Sequence, residues 1–330
     1  MALYPTYVAF SHFLWPAPLY ILLMTTGVAA LLSLAARPGK RALAGLGVAG
    51  ALLGASALVK ESGVFFLPVA ALWVVWRGRR DLRRGALQGA VVAAAAAVVI
   101  VPWVVHIQRP DLPFALITRT GYMNLFIGNH PQGHGVGMAE YPTLGATRLE
   151  AEDAARERAL AEIRRRLPGW PLEKIVVEVP RFFTPTSFAV RRLLLPPGDP
   201  GGWGYRMSWR VMDRPGPRAA CAGVVVAAYL LALGLGAAGL VLARRTDATL
   251  LFAGFVAAQL LPSIATFAMS RFRLASMTFF IVGAASLIAR GRSDWAAATP
   301  RRRTLAVACA VVLLGLAGLD YEAVLESTGR

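Results

Sequence analysis

Charged residues and cysteines are both scarce in this chain. Asp, Glu, Lys and Arg make up 16% of its 330 residues, whereas 56% are hydrophobic. A soluble domain carries about 25% charged residues, so this composition predicts an integral membrane protein. The two cysteines, Cys221 and Cys309, both lie in apolar stretches. That placement argues against a disulfide framework or a thiolate metal site.

The usual phosphate-binding and catalytic motifs are also missing from the sequence. There is no phosphate loop and no nucleophile elbow, and "GNHPQGHGVG" (128–137) lacks the spacing of a dinucleotide-binding turn. His130 and His134 have i,i+4 spacing, but Pro131 and Gly133 disfavour a helix there, so metal ligation by this pair is not expected. No cofactor is assigned from the sequence, and a divalent metal stays open.

Acidic residues are few, 18 against 35 Lys and Arg, which gives a formal net charge of +17. A basic excess can indicate a nucleic-acid partner. Here the arginines instead cluster in four short connections between apolar stretches, at 37–41, 77–84, 243–247 and 290–303. Because cytoplasmic loops of membrane proteins are enriched in Lys and Arg, we expect these clusters on the cytoplasmic side of the cell (inner) membrane and no nucleic-acid partner.

Apolar stretches of membrane-spanning character recur along the chain. Seven are candidate spans and an eighth is shorter: 17–36, 42–59, 63–76, 86–105, 219–243, 248–269, 274–289 and 304–319. If the arginine clusters lie on the cytoplasmic side, all the remaining connections lie on the extracytoplasmic side. The sequence therefore predicts an all-α polytopic membrane protein with N-terminal transmembrane helices in 1–105, a large extracytoplasmic loop region in 106–218 and C-terminal transmembrane helices in 219–330.

Within the loop region, apolar residues recur at helical spacing between 149 and 167. Acid-to-base spacings of four residues, Glu152 to Arg156 and Glu162 to Arg166, suit ion pairs along a helix. These charges are therefore predicted to lie on a solvated face of that helix.

Four charged residues lie at predicted outer turns, at the depth of the membrane surface: Lys60, Glu61, Arg271 and Arg273. Charges at membrane depth are costly and are commonly functional. The two arginines could bind an anionic head group such as phosphate, because a guanidinium bonds two oxygens at once. The alternatives are a snorkelling lysine, ordinary loop arginines, and an ion pair of Glu61 with Lys60 or an arginine.

Four stretches in order resemble one known family. They are "ALYPTYVAFSHFL" (2–14), "GASALVKESGVFFLPVAALW" (54–73), "TGYMNLFIGNHPQGHG" (120–135) and "RFRLA" (271–275). The chain resembles the dolichyl-phosphate-mannose-protein mannosyltransferases and their bacterial relatives, which are membrane glycosyltransferases of the GT-C fold. The resemblance implies a GT-C-like transmembrane bundle.

The resemblance also implies a reaction, the transfer of a sugar from a polyprenyl-phosphate donor to a glycan, lipid or protein acceptor on the extracytoplasmic face. Lys60, Arg271 and Arg273 would then bind the donor phosphate. The glycines and proline of 124–135 would shape an outer loop over the cavity. On the sugar and acceptor side, the implied residues are Asn124, Asn129, His130 and Glu61.

One feature of the family has no counterpart in the sequence. Family members carry a catalytic aspartate on an outer loop after a first transmembrane helix, and we expect the chain to lack that N-terminal part, so that its catalytic residue is unknown. Glu61 can in principle act as a base, although the sequence favours a charge pair. The alternative functions are a non-catalytic accessory protein that binds polyprenyl-phosphate lipids and, less favoured, a small transporter or flippase.

Overall fold

The computed structural model describes residues 4–11, 16–35, 37–108, 114–118, 120–185, 217–244 and 246–319, and within these residues every regular element is helical. The α-helices are α1 Pro5–Ser11, α2 Ala17–Leu34, α3 Lys40–Val59, α4 Phe66–Arg77, α5 Leu82–Ile107, α6 Gly121–Asn129, α7 His134–Glu140, α8 Arg148–Arg166, α9 Trp170–Phe183, α10 Pro217–Leu242, α11 Thr246–Ala265, α12 Leu274–Ala297 and α13 Pro300–Gly318. Short 3-10 turns occupy Glu61–Phe65, Tyr141–Thr143 and Ser270–Arg273.

Each predicted apolar stretch contains a helix among the described residues. Six of these helices, α2, α3, α5, α10, α11 and α12, are long and apolar enough to cross a membrane. Helix α4 has 12 residues and is shorter than a full crossing. The chain is therefore an all-α polytopic membrane protein, as the composition predicts.

Consecutive helices alternate in direction from α2 to α5 and from α10 to α13, so their connections fall at two ends of the bundle. We call one end the arginine end, because basic residues cluster in and beside its connections between α2 and α3, α4 and α5, α10 and α11, and α12 and α13. The other end, the cavity end, holds Lys60–Phe65, the link from α11 to α12, and helices α6 to α9. Residues 109–113, 119 and 186–216 of the predicted loop region lie outside the described residues.

Small residues let two pairs of parallel helices approach closely. In α3, Gly50 and Gly54 lie against the backbone of Val92 and Ala96 in α5; a Cβ on Gly50 would fall 2.3 Å from the Val92 carbonyl oxygen. In α10, Gly236 and Gly239 approach α12 in the same way. Glycines four or so residues apart allow this packing between membrane helices, where burial from water supplies no driving force.

Side-chain contacts fix the arginine end. Arg77 pairs with Asp247 at 3.0 Å, and Arg244 pairs with the buried Asp294 at 3.2 Å. Arg302 donates to the backbone carbonyl of Val241 at 2.7 Å. These contacts join helices α4 to α11 and α10 to both α12 and α13.

Helix α8 confirms the helix predicted between 149 and 167, and Thr147 and Glu150 form a capping box at its start. Of the two predicted ion pairs one forms, and its side chains are only 12% and 15% exposed, so the predicted solvated face is wrong for both acids. Glu162 pairs with Arg166 at 3.2 Å, but Glu152 is buried and pairs with Arg148 at 3.1 Å, not with Arg156. The prediction for Glu152 is wrong because α8 packs against α6 and turns this carboxylate inward.

The predicted outer loop at 124–135 is mostly helical. Asn124 to Asn129 belong to α6, and α7 begins at His134. The turn is confined to 130–133, where Gly133 has φ +92, a left-handed conformation that glycine adopts without steric cost. His130 and His134 therefore do not share a helix, as their sequence context predicts.

Candidate functional site

A cavity of about 680 Å³ opens at the cavity end of the bundle. Its walls come from the start of α2, the turn Lys60–Phe65, the segment 114–118, helix α6, the last turn of α11 and the link before α12. Four of the seven residues singled out by the sequence line it: Lys60, Glu61, Asn124 and Arg271.

Lys60 is a cation at the wall of this cavity. It follows the last residue of α3, and its extended backbone ends the helix. Its Nζ lies 5.5 Å from the ring centroid of Tyr20 and 5.1 Å from that of Phe272. With the residues that the structure describes, this side-chain amine forms no hydrogen bond and no ion pair. Stacking on two rings stabilises the cation but leaves its hydrogen-bond donors unused.

The surroundings lower the pKa of Lys60 to about 7. Burial is the largest cause, the positive charge of Arg271 acts in the same direction, and Glu61 opposes both. An anion placed in the cavity would reverse the shift, because an opposite charge nearby favours the protonated amine.

Arg271 brings a second cation to the same wall. Its guanidinium carbon lies 5.5 Å from the centroid of the Phe272 ring, the ring that Lys60 also contacts. The two positive charges repel each other, and this repulsion helps to lower the pKa of Lys60 even with Glu61 nearby. The local charge therefore suits an anionic ligand.

Two carboxylates, Glu61 and Glu152, also line the cavity. Glu61 opens the 3-10 turn after α3, and its Oε2 accepts a short hydrogen bond from the Thr118 hydroxyl. The sequence favoured a charge pair for Glu61, but within the described part of the chain its carboxylate bonds this hydroxyl and not Lys60. Glu152 has its carboxylate engaged by Arg148.

Polar groups beneath the cations are satisfied by one another. Gln259 of α11 accepts from the Ser62 hydroxyl at 2.8 Å and donates to the Tyr20 hydroxyl at 2.9 Å. Ser263 donates to the backbone carbonyl of Gln259 at 2.9 Å. This network fixes the floor of the cavity, because a buried amide without partners would be costly.

Helix α6 forms a wall of the cavity and is anchored to the end of α11. Gly128 meets α11 so closely that a Cβ would lie 2.0 Å from the Thr266 carbonyl oxygen. Lys174 of α9 donates to the carbonyls of both residues, at 2.9 Å for Gly128 and 2.6 Å for Thr266. Asn124, one turn earlier in α6, faces the cavity, and its side-chain amide makes no hydrogen bond with the described residues.

Three residues expected at the site lie elsewhere. Arg273 is buried, donates to the Phe182 carbonyl at 2.8 Å and lies 4.2 Å from the Tyr229 ring centroid. Asn129 is buried and accepts from the indole of Trp170 at 2.7 Å, an anchoring role.

His130 likewise serves the turn after α6. Its Nε2 lies 2.8 Å from a Glu140 carboxylate oxygen, and its Nδ1 accepts from the backbone of Gln132. Among the described residues, no three His, Cys, Asp or Glu side chains come close enough to hold a metal ion.

Sequence reasoning missed Thr118, Glu152 and Gln259 as cavity residues. Gln259 and Ser263 carried a signal, since they are polar residues within an apolar span. Thr118 and Glu152 carried none, because only the packing of segment 114–118 and of α8 brings them to the cavity.

No protein-family model, curated protein or solved structure matches this chain at a significant level. The function is therefore argued from the cavity itself, together with the resemblance of the four sequence stretches.

Proposed function

We propose that this chain binds a polyprenyl-phosphate-linked sugar in the cavity and transfers the sugar to an acceptor on the extracytoplasmic face. The observation that carries this proposal is Lys60, whose side-chain amine has no hydrogen-bond partner among the described residues, at the wall of a cavity of about 680 Å³ at the cavity end of the bundle. A glycosyltransferase of GT-C type is the enzyme class that the four sequence stretches resemble.

Lys60 and Arg271 are the phosphate-binding residues in this proposal. Both line the cavity and lie against the Phe272 ring, and the charge of Arg271 acts on Lys60, which supports a site where one phosphate contacts both cations. A guanidinium and an ammonium supply several charge-assisted hydrogen bonds to phosphate oxygens. During transfer, negative charge develops on the leaving phosphate, and fixed cations stabilise it. Arg273 is not part of the proposed site, because its donors face Phe182 and Tyr229.

Apolar side chains on the same cavity suit the isoprenoid chain of a lipid donor. Phe65, Phe114 and Leu116 line the cavity and are exposed. Large exposed apolar groups beside a polar site indicate a ligand or lipid contact. A phosphate head group and a hydrocarbon tail on one molecule would satisfy both parts of the cavity.

The orientation in the membrane is part of the proposal. If the arginine end is cytoplasmic, as the distribution of basic residues indicates, the cavity faces the extracytoplasmic side. Single cysteines introduced as Arg80→Cys and Gln132→Cys, in a chain with Cys221→Ser and Cys309→Ser, test this. A membrane-impermeant thiol reagent added to intact cells should label position 132 and not position 80. Labelling of position 80 alone would show that the chain has the opposite orientation.

The test of the donor site is lipid binding by the purified full chain. Undecaprenyl phosphate is the probe, and undecaprenol, which lacks the phosphate, is the ligand control. We expect Lys60→Met with Arg271→Met to weaken binding of undecaprenyl phosphate at least about tenfold and to leave undecaprenol binding unchanged, since two charge-assisted contacts are lost. The charge-matched control is Arg80→Met with Arg83→Met at the arginine end. Wild-type affinity in the Lys60 and Arg271 double variant would contradict the proposal.

An accessory protein that binds the lipid without transferring its sugar would pass that binding test. Consumption of the sugar donor distinguishes a transferase from such an accessory protein. Membrane vesicles from cells that lack their own copy and express this chain should convert polyprenyl-phosphate sugar to polyprenyl phosphate, read by mass spectrometry. Binding without conversion would leave the accessory role.

A further inference from the structure

The two carboxylates of the cavity, Glu61 and Glu152, differ in the contacts that their oxygens make. The Glu61 Oε2 accepts from Thr118, and the structure gives the Glu61 Oε1 no hydrogen-bond partner among the described residues. Glu152 is more deeply buried and is engaged by Arg148 at 3.1 Å through its Oε1. A carboxylate with a free oxygen facing a cavity can accept a proton from a ligand, whereas one held in an ion pair is less available.

The Thr118 contact also fixes the direction of the Glu61 carboxylate. The Thr118 hydroxyl has one proton and donates it to Glu61, so its 2.8 Å contact with Thr120 must be a bond donated by the Thr120 hydroxyl. Segment 114–118 is itself tied back to α5, because Trp103 donates to the Ile117 carbonyl at 2.9 Å. The carboxylate is thus oriented by Thr118, whose segment is hydrogen-bonded to the spanning helix α5.

Glu61 is next to Lys60 in the chain, and its negative charge acts on the Lys60 amine. A donor phosphate at Lys60 and Arg271 would therefore place the sugar carbon that bears it near Glu61. Proximity of this kind is the first requirement for general base catalysis, before the pKa of the base.

We propose that Glu61 is the general base of the transfer and that Thr118 is a positioning residue for it; this rests on the proposed function. An acceptor hydroxyl loses its proton to Glu61 Oε1 as its oxygen bonds to the anomeric carbon. The bond between that carbon and the phosphate oxygen breaks, and its electron pair stays on the polyprenyl phosphate, held by Lys60 and Arg271. Glu61 then releases the proton to water.

Glu61→Gln tests the base with little change of shape. In the membrane vesicles described above, we expect conversion of donor to polyprenyl phosphate to fall by about 100-fold or more, the typical contribution of a general base. Binding of undecaprenyl phosphate to the purified variant should stay within about twofold of wild type, since Lys60 and Arg271 remain. The control Glu157→Gln, at an exposed position of α8, should convert donor normally.

Two further variants keep the assignment falsifiable if Glu61→Gln simply misfolds. Glu61→Gly should regain part of its activity when formate is added, because formate can enter the cavity and take the proton. A merely structural role of Glu61 gives no such rescue. Thr118→Val should lower the conversion rate, and Thr118→Ser, which keeps the hydroxyl, should restore it.

Three outcomes would overturn the assignment. Normal conversion by Glu61→Gln would show that its carboxylate takes no proton in the reaction. Loss of conversion in Glu152→Gln, with Glu61→Gln active, would move the base to Glu152. No conversion by the wild-type chain, with intact lipid binding, would remove the transferase function and with it any base.

Discussion

Lys174 Nζ lies 2.6 Å from the carbonyl oxygen of Thr266, a residue 92 positions later in the chain. The same amine bonds the Gly128 carbonyl and the carboxylate of Glu178. Burial lowers the pKa of Lys174, and Glu178 opposes this shift. One buried ammonium thus joins α9, α6 and the end of α11, which carries part of the cavity wall.

Lys174→Met should destabilise the protein by about 3–5 kcal/mol, because it leaves the buried Glu178 without its principal counter-ion. Arg181 and the backbone N–H of Ala268 still contact Glu178, which places the effect toward the lower figure. Thermal unfolding in detergent measures it. The surface variant Arg165→Met, which removes an exposed ion pair with Glu162, should barely move the Tm. Equal Tm values for the two variants would contradict the role given to Lys174.

Two glycines of α6 should respond in opposite ways to alanine. Gly128→Ala places a Cβ 2.0 Å from the Thr266 carbonyl, so α6 must move away from α11, at a cost of about 1–3 kcal/mol. Gly121→Ala meets nothing within 4 Å and should stabilise α6 by about 0.4–1 kcal/mol. The Tm of each variant, compared with that of wild type, tests the predicted loss of stability in one and gain in the other. A tolerated Gly128→Ala would show that α6 does not pack this tightly.

The contact between α3 and α5 gives a matched pair within one spanning helix. Gly50→Ala sets a Cβ against the Val92 carbonyl, whereas Gly47→Ala makes only an ordinary contact with Val91 at 3.7 Å. We expect Gly50→Ala to lower the Tm and Gly47→Ala to leave it nearly unchanged. The reverse order would contradict the parallel packing of these helices.

Binding of a lipid phosphate should depend on pH through Lys60. Burial and the charge of Arg271 lower its pKa to about 7, and a bound anion would raise it, so the protonated amine is the form that binds. Affinity for undecaprenyl phosphate should therefore fall as pH rises above about 7, by about tenfold per pH unit until the pKa of the bound state is reached. The phosphate adds little to this change because its own second pKa is about 6.

The control for this pH dependence is Lys60→Arg. A guanidinium stays protonated throughout the range, so binding to this variant should be nearly flat between pH 7 and 9. A wild-type affinity that does not change between pH 7 and 9 would contradict a phosphate contact through the Lys60 amine.

The spanning helices follow from the sequence because apolar length and arginine-rich connections are local signals. The position of helix α8 is also a local signal, given by its apolar spacing and its cap at Thr147. Its buried Glu152 was not predictable, because i,i+4 spacing offers Arg148 and Arg156 equally and only packing against α6 decides between them.

The site was predictable in part, because some of its residues carry a local sequence signal. Lys60 and Arg271 stand out as charges at the ends of apolar helices, and the structure brings them to one cavity. Arg273, two residues further on, had the same sequence signal, but the 3-10 turn Ser270–Arg273 directs it to Phe182 instead. Which side of a short turn a residue faces is set by tertiary contacts that composition and spacing do not contain.

The central claim is that Lys60 and Arg271 hold the phosphate of a polyprenyl lipid. Its most direct test is an electron cryo-microscopy structure of the full chain with undecaprenyl phosphate in a lipid nanodisc. We predict phosphate density in the cavity within hydrogen-bond distance of Lys60 Nζ and of the Arg271 guanidinium, with the lipid chain against Phe65 and Phe114. Lipid phosphate bound only at the arginine end, with the cavity free of it, would contradict the account.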